Sequence, residues 1–180
     1  MNNIILVIGG QKSGKSLFAE KKAAGLVSGE EKPLYLATAV AFDEEMERRI
    51  KAHRLRRNDK FDTVEEKIKI AHVLEKCFDR YDVILLECLT LWMNNLLYYC
   101  SADDMEKEVK EFKVFLENFK KSFPAEKTLI VVSNETGMGI TPDLQLSRTF
   151  VDMAGALNAE IATAADEVYF MISGISLRIK

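Results

Sequence analysis

An apolar segment that leads directly into a glycine-rich loop constrains this chain more than any other feature. Ile4–Ile8 is followed by Gly9-Gly10-Gln11-Lys12-Ser13-Gly14-Lys15-Ser16, which matches the pattern G-x-x-x-x-G-K-S. A helix-forming segment, Lys15–Leu26, begins where the loop ends. A strand, this loop and a helix in that order form a phosphate-binding P-loop. The alternative is a glycine-rich turn that matches by chance, which the complete pattern and its flanks disfavour.

The chemistry of this loop predicts its ligand. Glycines let the backbone curve around a phosphate chain with its N–H groups pointing inward, and the following helix adds its positive dipole end. We expect Lys15 to reach the β- and γ-phosphates and the Ser16 hydroxyl to bind Mg²⁺. The first ligand that the sequence predicts is therefore a nucleoside triphosphate with Mg²⁺.

Length and composition narrow the class of protein. The 180 residues predict one domain over 1–180, and a net charge of −3 gives no basic field of the kind that binds nucleic acid. The first apolar run is too short for a signal peptide, and no apolar stretch is long enough for membrane insertion. Cys77, Cys88 and Cys100 are odd in number and lack metal-type spacing. They predict reduced thiols, packed in the core of a cytoplasmic protein.

Strand-like and helix-like segments alternate along the chain. Buried strands are predicted for five short apolar runs: Ile4–Ile8, Leu34–Ala37, Val83–Leu86, Leu129–Ser133 and Val168–Ile172. Helices are predicted between them: Lys15–Leu26, Asp43–Arg57, Thr63–Phe78, Asp103–Lys121 and Asp143–Ala164. The last helix has Thr141 as a candidate N-cap and Pro142 at its first position. The ending Ile172–Ile179 predicts a tight turn and an edge strand.

This alternation predicts a three-layer α/β domain with a mostly parallel central sheet and a carboxyl-terminal β-hairpin edge. Ligands should bind beyond the carboxyl ends of its strands. Glu87 ends the apolar run Ile84-Leu85-Leu86, at the place where a P-loop protein holds Mg²⁺ with a carboxylate. The alternative is an exposed acid at a strand end. Aspartate is more usual at this position, so proximity to the metal is better supported than direct coordination.

A strongly basic segment surrounds His53. Between positions 48 and 57 six arginines and lysines flank this histidine, with Arg49, His53 and Arg56 or Arg57 at helical spacing. Fixed cations can neutralise phosphate oxygens, and they favour the neutral, nucleophilic form of imidazole. A solvated helix face that balances the preceding acidic residues is an equally good interpretation. His72 has no such cluster, and we interpret it as structural.

Two further segments follow predicted strands. Asn134–Gly139 combines polar groups and two glycines at a strand's carboxyl end, which is typical of a substrate loop, although a plain turn is the alternative. Leu89–Leu97 is apolar and contains Trp92. Its content is compatible with core packing, a subunit contact or a wall for a large ligand.

Taken together, these motifs resemble the bifunctional adenosylcobinamide kinase/adenosylcobinamide-phosphate guanylyltransferases of cobalamin biosynthesis, nearly from end to end. The resemblance rests on the following segments: Gly9–Ser16, Tyr35–Ala39, the R-I-x-x-H-R run through His53, Leu85–Trp92, Val132–Ile140, Ala165–Val168 and Ser173–Ile175. The loop N-E-x-G-x-G and the histidine run discriminate far better than the P-loop alone.

The resemblance implies a fold and two reactions. The fold is a RecA-like P-loop NTPase domain, and the protein is a homo-oligomer, with a trimer as one state described for the family. The aminopropanol hydroxyl of adenosylcobinamide is phosphorylated by ATP or GTP, and GMP from GTP is then transferred to that phosphate. The second step passes through a GMP–histidine intermediate, and His53 is the matching residue.

The resemblance also implies the nucleotide contacts. They fall on Gly9, Gly10, Gln11, Lys12, Ser13, Gly14, Lys15, Ser16, Ala37, Thr38, Ala39, Arg54, Leu55, Arg56, Arg57, Glu65 and Glu87. Ser16 and Glu87 are the metal candidates, and Lys15 is the catalytic residue of the kinase step. Glu65 matches the family pattern only loosely. Two alternatives stay open: a guanylyltransferase without the kinase step, and a nucleotide-gated switch that uses the basic helix to dock a partner.

Overall fold

Seven strands in the described part of the chain form one sheet. The computed structural model describes residues 2–41, 43–123 and 126–180. The strands are β1 (Asn3–Gly9), β2 (Leu34–Ala37), β3 (Asp62–Glu65), β4 (Val83–Glu87), β5 (Thr128–Val132), β6 (Glu167–Ile172) and β7 (Ile175–Arg178). Their order is β3-β2-β4-β5-β1-β6-β7, and only the β6–β7 pair is antiparallel. The predicted parallel sheet with a hairpin at its edge is confirmed.

Helices cover both faces of this sheet. They are α1 (Lys15–Ala24), α2 (Glu44–Arg57), α3 (Ile70–Cys77), α4 (Leu89–Tyr99), α5 (Ala102–Ser122) and α6 (Gln145–Ala164), with a short 3-10 helix at Asn58–Lys60. Successive strand residues point to opposite faces, so the sheet builds two apolar cores. The larger core packs α3, α4, α5 and α6 on one face, and the smaller core packs α1 on the other. The predicted three-layer arrangement is confirmed.

The helix predicted over Thr63–Phe78 is wrong in its first half. Asp62–Glu65 is an edge strand that pairs with β2, and α3 begins only at Ile70. The Glu66 carboxylate accepts hydrogen bonds from the backbone N–H groups of Ile68 and Lys69, which organises the turn before the helix. The apolar residues of this segment fit a helical period, but the pairing partner of the strand lies far away in the sequence.

The predicted start of the last helix is also wrong. Helix α6 begins at Gln145, with no side-chain cap. The guanidinium of Arg148 donates to the carbonyl oxygens of Pro142 at 2.9 Å and Asp143 at 2.6 Å. Because a side chain satisfies these carbonyls, the segment with Thr141 and Pro142 stays outside the helix.

The segment that contains Trp92 is core. Trp92 on α4 is fully buried, and its indole N–H donates to the Ile68 carbonyl oxygen at 2.7 Å. Asn95 donates to the carbonyl oxygens of Thr38 and Lys67. Helix α4 therefore fixes the segments that follow β2 and β3, and of the three alternatives for Trp92 the structure selects core packing.

The three cysteines are free and partly buried against the cores, as predicted. His72 lies exposed on α3 and does not pack as a core residue would. Within residues 2–41, 43–123 and 126–180, no helix has the length and apolar content needed to cross a bilayer.

Candidate active site

The P-loop follows β1, and its shape requires two glycines. Gly9 has a φ of +150° and Gly14 a φ of +95°, values that side-chain-bearing residues rarely adopt. A Cβ on Gly9 would lie 2.5 Å from the Met171 carbonyl oxygen, and one on Gly14 would lie 3.3 Å from the Cα of Gly174. Gly174 also donates its N–H to the Ser13 carbonyl oxygen at 3.0 Å. The carboxyl-terminal hairpin therefore packs against the loop and supports it.

Lys15, the first residue of α1, carries its charge inside this loop. Its side chain is buried, and Nζ donates to the Gly10 carbonyl oxygen at 2.6 Å. Burial lowers the pKa of Lys15, and the nearby Cys88 and Glu87 oppose that effect. The ammonium is held at the position where the loop would enclose a phosphate.

Ser16 and Glu87 meet beside the loop. Strand β5 lies between β1 and β4, so the P-loop and the end of β4 face each other across one strand. The Ser16 hydroxyl donates to Glu87 Oε1, whereas Glu87 Oε2 is buried and has no hydrogen-bond partner among the described residues. Burial raises the pKa of Glu87 to about 7, and the Ser16 hydrogen bond opposes the rise. A hydroxyl beside an unsatisfied carboxylate oxygen fits Mg²⁺, which prefers oxygen ligands.

The raised pKa of Glu87 makes a prediction about stability. Between about pH 4.5 and 7 the folded protein holds a proton on Glu87 that the unfolded chain has released, so the contribution of Glu87 to the free energy of unfolding falls as pH rises. The substitution Glu87→Gln removes this cost. We expect it to stabilise the Mg²⁺-free protein by roughly 1–3 kcal/mol at pH 8. Urea unfolding at pH 8 and pH 4.5 measures the effect, and an equal gain at both pH values would contradict it.

The segment after β2 has two roles. Ala37 and Ala39 line the cavity described below. Thr38 is fully buried instead, and its hydroxyl donates to the Cys88 carbonyl oxygen and accepts from the Cys88 N–H, each at 2.8 Å. The side chain of Thr38, a predicted nucleotide contact, therefore holds the end of β4 in position next to Glu87.

Helix α2 carries His53 and is attached to the rest of the protein mainly by arginines. Its one buried residue is Arg57, whose guanidinium lies over the Tyr35 ring at 3.6 Å from the centroid. Arg54 pairs with Glu65 on β3. Leu55, a predicted nucleotide contact, is 80% exposed, so its side chain points away from the site. Cation–π and ionic contacts, rather than an apolar face, hold this helix.

Arg56 makes a different contact from its neighbours. Its guanidinium binds both carboxylate oxygens of Glu20 on α1, at 2.9 and 2.7 Å, and Nη2 lies 3.4 Å from Nδ1 of His53. The pKa of His53 is lowered, first by burial and then by Arg56, with Glu20 opposing. A lowered pKa keeps the imidazole neutral at physiological pH, which is the form that can act as a nucleophile.

A cavity of about 430 Å³ unites these groups. Its lining includes eleven of the residues predicted for the site: Gln11, Lys12, Lys15, Ser16, Ala37, Ala39, His53, Arg54, Arg57, Glu65 and Glu87. Gly9, Gly10, Ser13 and Gly14 shape the loop beside it, and Thr38, Leu55 and Arg56 do not line it. The space is lined by two lysines and three arginines and is large enough for a nucleotide.

Several lining residues were not predicted to contact the nucleotide: Tyr35, Met46, Arg49, Ile50, Cys88, Leu91, Val132 and Asn134. Arg49 shares the predicted helix face with His53, and Asn134 opens the predicted substrate loop. The backbone of Asn134 is fixed by the Thr90 hydroxyl, which accepts from its N–H at 2.7 Å, and by Asn158, which donates to its carbonyl oxygen. In the sequence, the available signal for this contact was Thr90, a polar residue within the apolar segment Leu89–Leu97, together with Asn134, which directly follows a predicted strand.

Comparison with known proteins identifies the family. The profile of cobinamide kinase / cobinamide phosphate guanyltransferase matches residues 5–179. The bifunctional adenosylcobalamin biosynthesis protein CobP of Pseudomonas aeruginosa is 40% identical over 177 residues, which are 97% of this chain and 96% of the relative. The corresponding protein CobU of Escherichia coli is 36% identical over 186 residues, covering 98% of this chain and 99% of its own.

Solved structures with the same fold have much lower identity. The flagellar accessory protein FlaH from Methanocaldococcus jannaschii gives a TM-score of 0.52 at 15% identity, over 98% of this chain and 75% of that one. A second solved structure, an ATPase domain, gives 0.54 at 13% identity, over 93% and 68%. These two confirm the P-loop NTPase fold, and the sequence relatives confirm the resemblance and the assignment as a transferase of cobalamin biosynthesis. The chain belongs to the cobinamide kinase / cobinamide phosphate guanyltransferase family.

Proposed function

We propose that this protein phosphorylates the aminopropanol hydroxyl of adenosylcobinamide with ATP or GTP, and then transfers GMP from GTP to that phosphate through a GMP adduct of His53. The observation that carries the proposal is the cavity itself, in which the P-loop and the histidine of α2 line the same space. A nucleotide bound in this cavity would lie in the space that both the P-loop and the candidate nucleophile line.

In the kinase step Lys15 and the P-loop N–H groups position the triphosphate and neutralise its charge. The acceptor hydroxyl oxygen bonds to the γ-phosphorus as its proton passes to solvent, and the bond to the β-phosphate oxygen breaks, so that the nucleoside diphosphate leaves. Ser16 and Glu87 are the residues that would hold Mg²⁺, which supplies charge neutralisation on the phosphate oxygens when bound. Glu87 Oε2 supports this role, because it is buried without a hydrogen-bond partner among the described residues and is therefore available to a cation.

In the guanylyl step a neutral His53 nitrogen attacks the α-phosphorus of GTP. A nitrogen–phosphorus bond forms, the bond to the β-phosphate oxygen breaks, and pyrophosphate leaves. The phosphate of the corrinoid substrate then attacks the same phosphorus and releases the histidine. The guanidinium of Arg57 and the Arg49 and Arg54 side chains line the same cavity and would stabilise the charge that spreads over the α-phosphate.

Intact-protein mass spectrometry tests this proposal. Wild type, His53→Ala and the matched control His72→Ala are incubated with GTP and Mg²⁺ without corrinoid. We expect an acid-labile GMP adduct on wild type and on His72→Ala, and none on His53→Ala. An adduct that persists on His53→Ala would refute the choice of nucleophile, and an active wild type without any adduct would refute the covalent step.

A homo-oligomer, with a trimer as the state described for the family, is part of the same proposal. Exposed apolar side chains on the final hairpin support it: Ile172, Ile175 and Leu177 are 51%, 71% and 53% exposed. Light scattering of the purified protein measures the mass and tests the proposal. The cytoplasmic location stays a prediction.

A further inference from the structure

Asn134 follows the strand that separates the P-loop from Glu87. Strand β5 lies between β1 and β4, and its last residue, Val132, pairs with Val7 on one side and with Glu87 on the other. Neighbouring strands in a sheet are roughly 5 Å apart. Asn134 lies two residues beyond this point and lines the cavity. Its place is therefore between the phosphate-binding loop and the candidate metal ligand.

The backbone around Asn134 is fixed on both sides. The N–H groups of the residues before and after it donate to carbonyl oxygens of β1, each at 3.0 Å. Its own N–H donates to the hydroxyl of Thr90 at 2.7 Å, and the amide of Asn158 donates to its carbonyl oxygen at 3.1 Å. Thr90 and Asn158 are both buried. The position of the Asn134 side chain is thus set before any ligand binds.

The side chain of Asn134 has no such partner. Within the described part of the chain, the hydrogen bonds of this residue are those of its backbone, so its half-buried carboxamide is left facing the cavity. An asparagine that only shapes a turn uses its amide on neighbouring backbone groups. Asn134 does not, which leaves two N–H donors and one acceptor for a ligand.

The groups around Asn134 indicate which part of a nucleotide it would contact. The P-loop after β1 carries Lys15, and a lysine at this position binds the β- and γ-phosphates. At the end of β4, Glu87 pairs with Ser16, the other candidate metal ligand. Asn134 lies between these two sets of groups. A γ-phosphate bound at the P-loop would therefore lie next to its carboxamide.

We propose that Asn134 is a catalytic residue of the kinase step. Its Nδ2 donates a hydrogen bond to an oxygen of the γ-phosphoryl group while that group passes from the β-phosphate oxygen to the acceptor hydroxyl. The inference rests on the proposed kinase reaction. A fixed neutral amide suits this role, because it stabilises charge on the phosphoryl oxygens without having to reorganise. In the guanylyl step the γ-phosphate leaves unchanged within pyrophosphate, so the same contact contributes only to binding there.

Calorimetric titrations with ADP and with its non-hydrolysable triphosphate analogue AMPPNP, each with Mg²⁺, test the contact. For Asn134→Ala we expect the affinity for AMPPNP to fall by about three- to tenfold and the affinity for ADP to stay unchanged, because only the analogue carries a γ-phosphate. The matched control is Asn3→Ala, the same truncation at the opposite end of β1, which should bind both nucleotides as wild type does. An equal loss for both nucleotides, or no loss for either, in a folded Asn134→Ala protein would overturn the proposal.

The rates of the two half-reactions give a second readout. We expect Asn134→Ala to lower the rate of corrinoid phosphorylation at saturating nucleotide by roughly 10- to 100-fold. Formation of the GMP adduct at saturating GTP should stay within about threefold of wild type, since the α-phosphorus reacts in that step. Equal losses in both half-reactions would indicate that the residue only supports the loop, and would overturn the proposal.

A second variant covers a failure to fold. If Asn134→Ala lacks the circular dichroism of wild type, Asn134→Leu, which is similar in size and has no donor, is titrated in the same way. A wild-type preference for AMPPNP over ADP in that variant would overturn the proposal. The titrations need no turnover. A wild type that phosphorylates no corrinoid would therefore refute the proposed function, whereas the titrations decide the contact with the γ-phosphate.

Discussion

Replacement of Lys15 by methionine is expected to lower the kinase rate by roughly 10²- to 10³-fold. Methionine retains the length and much of the packing of the side chain, so the loss reports the missing charge. Lys15 is buried, and its ammonium already donates to the loop at Gly10. One fixed cation at the β- and γ-phosphates is worth several kcal/mol to the transition state.

The measurement is the initial rate of substrate phosphorylation at saturating nucleotide, with Lys21→Met as the matched control. Lys21 lies on the same helix, but its side chain is exposed and outside the cavity. A Lys15→Met enzyme that keeps more than a tenth of the wild-type rate would show that the P-loop is not the kinase site. A parallel loss of guanylyl transfer would show that one nucleotide position serves both steps.

The second large effect is expected at His53. The variant His53→Asn should lose guanylyl transfer by about 10³-fold or more, because no other described nucleophile in the cavity is both neutral and activated. Cys88, which also lines the cavity, has a pKa raised to about 11 by burial and by Glu87, so it stays a protonated thiol. Phosphorylation should continue within a few-fold of wild type, since the contacts of Lys15 and Ser16 do not involve His53.

Separate assays of the two half-reactions measure this split. Phosphorylated corrinoid should accumulate with His53→Asn when ATP and GTP are both present, and no guanylylated product should follow. Equal losses in both half-reactions, in a variant with the thermal unfolding temperature of wild type, would contradict the assignment of separate roles to Lys15 and His53.

Features encoded by local pattern could be predicted from the sequence. The P-loop, the buried strands and the acid at the end of β4 depend on short runs of residues, and the structure has them where the sequence predicts them. The helix over Thr63–Phe78 failed for the opposite reason. Strand β3 forms because its backbone pairs with β2, which is distant in the sequence. The sequence of β3 itself shows only a short alternation of more and less buried residues, which is a weak signal for a strand.

The candidate site shows the same division. His53 could be found because six cations cluster around it, whereas Glu20 is one of many glutamates on predicted helices and gives no signal until Arg56 reaches it. Thr38 lies within a motif of the family and still turns away from the cavity, toward Cys88. Motif membership locates a segment, but only the packing around each side chain decides whether it faces ligand or protein.

The two apolar cores differ in size, and this difference affects which parts of the protein can accept amino-acid substitutions. Four helices and most of the large buried side chains lie on one face, whereas α2, with its single buried residue, lies over the smaller core through Arg57 and Tyr35. Substitutions on α2 therefore sacrifice little of the apolar burial that maintains the fold. The helix that carries His53, the proposed nucleophile, can therefore accumulate substitutions while the opposite face preserves the fold.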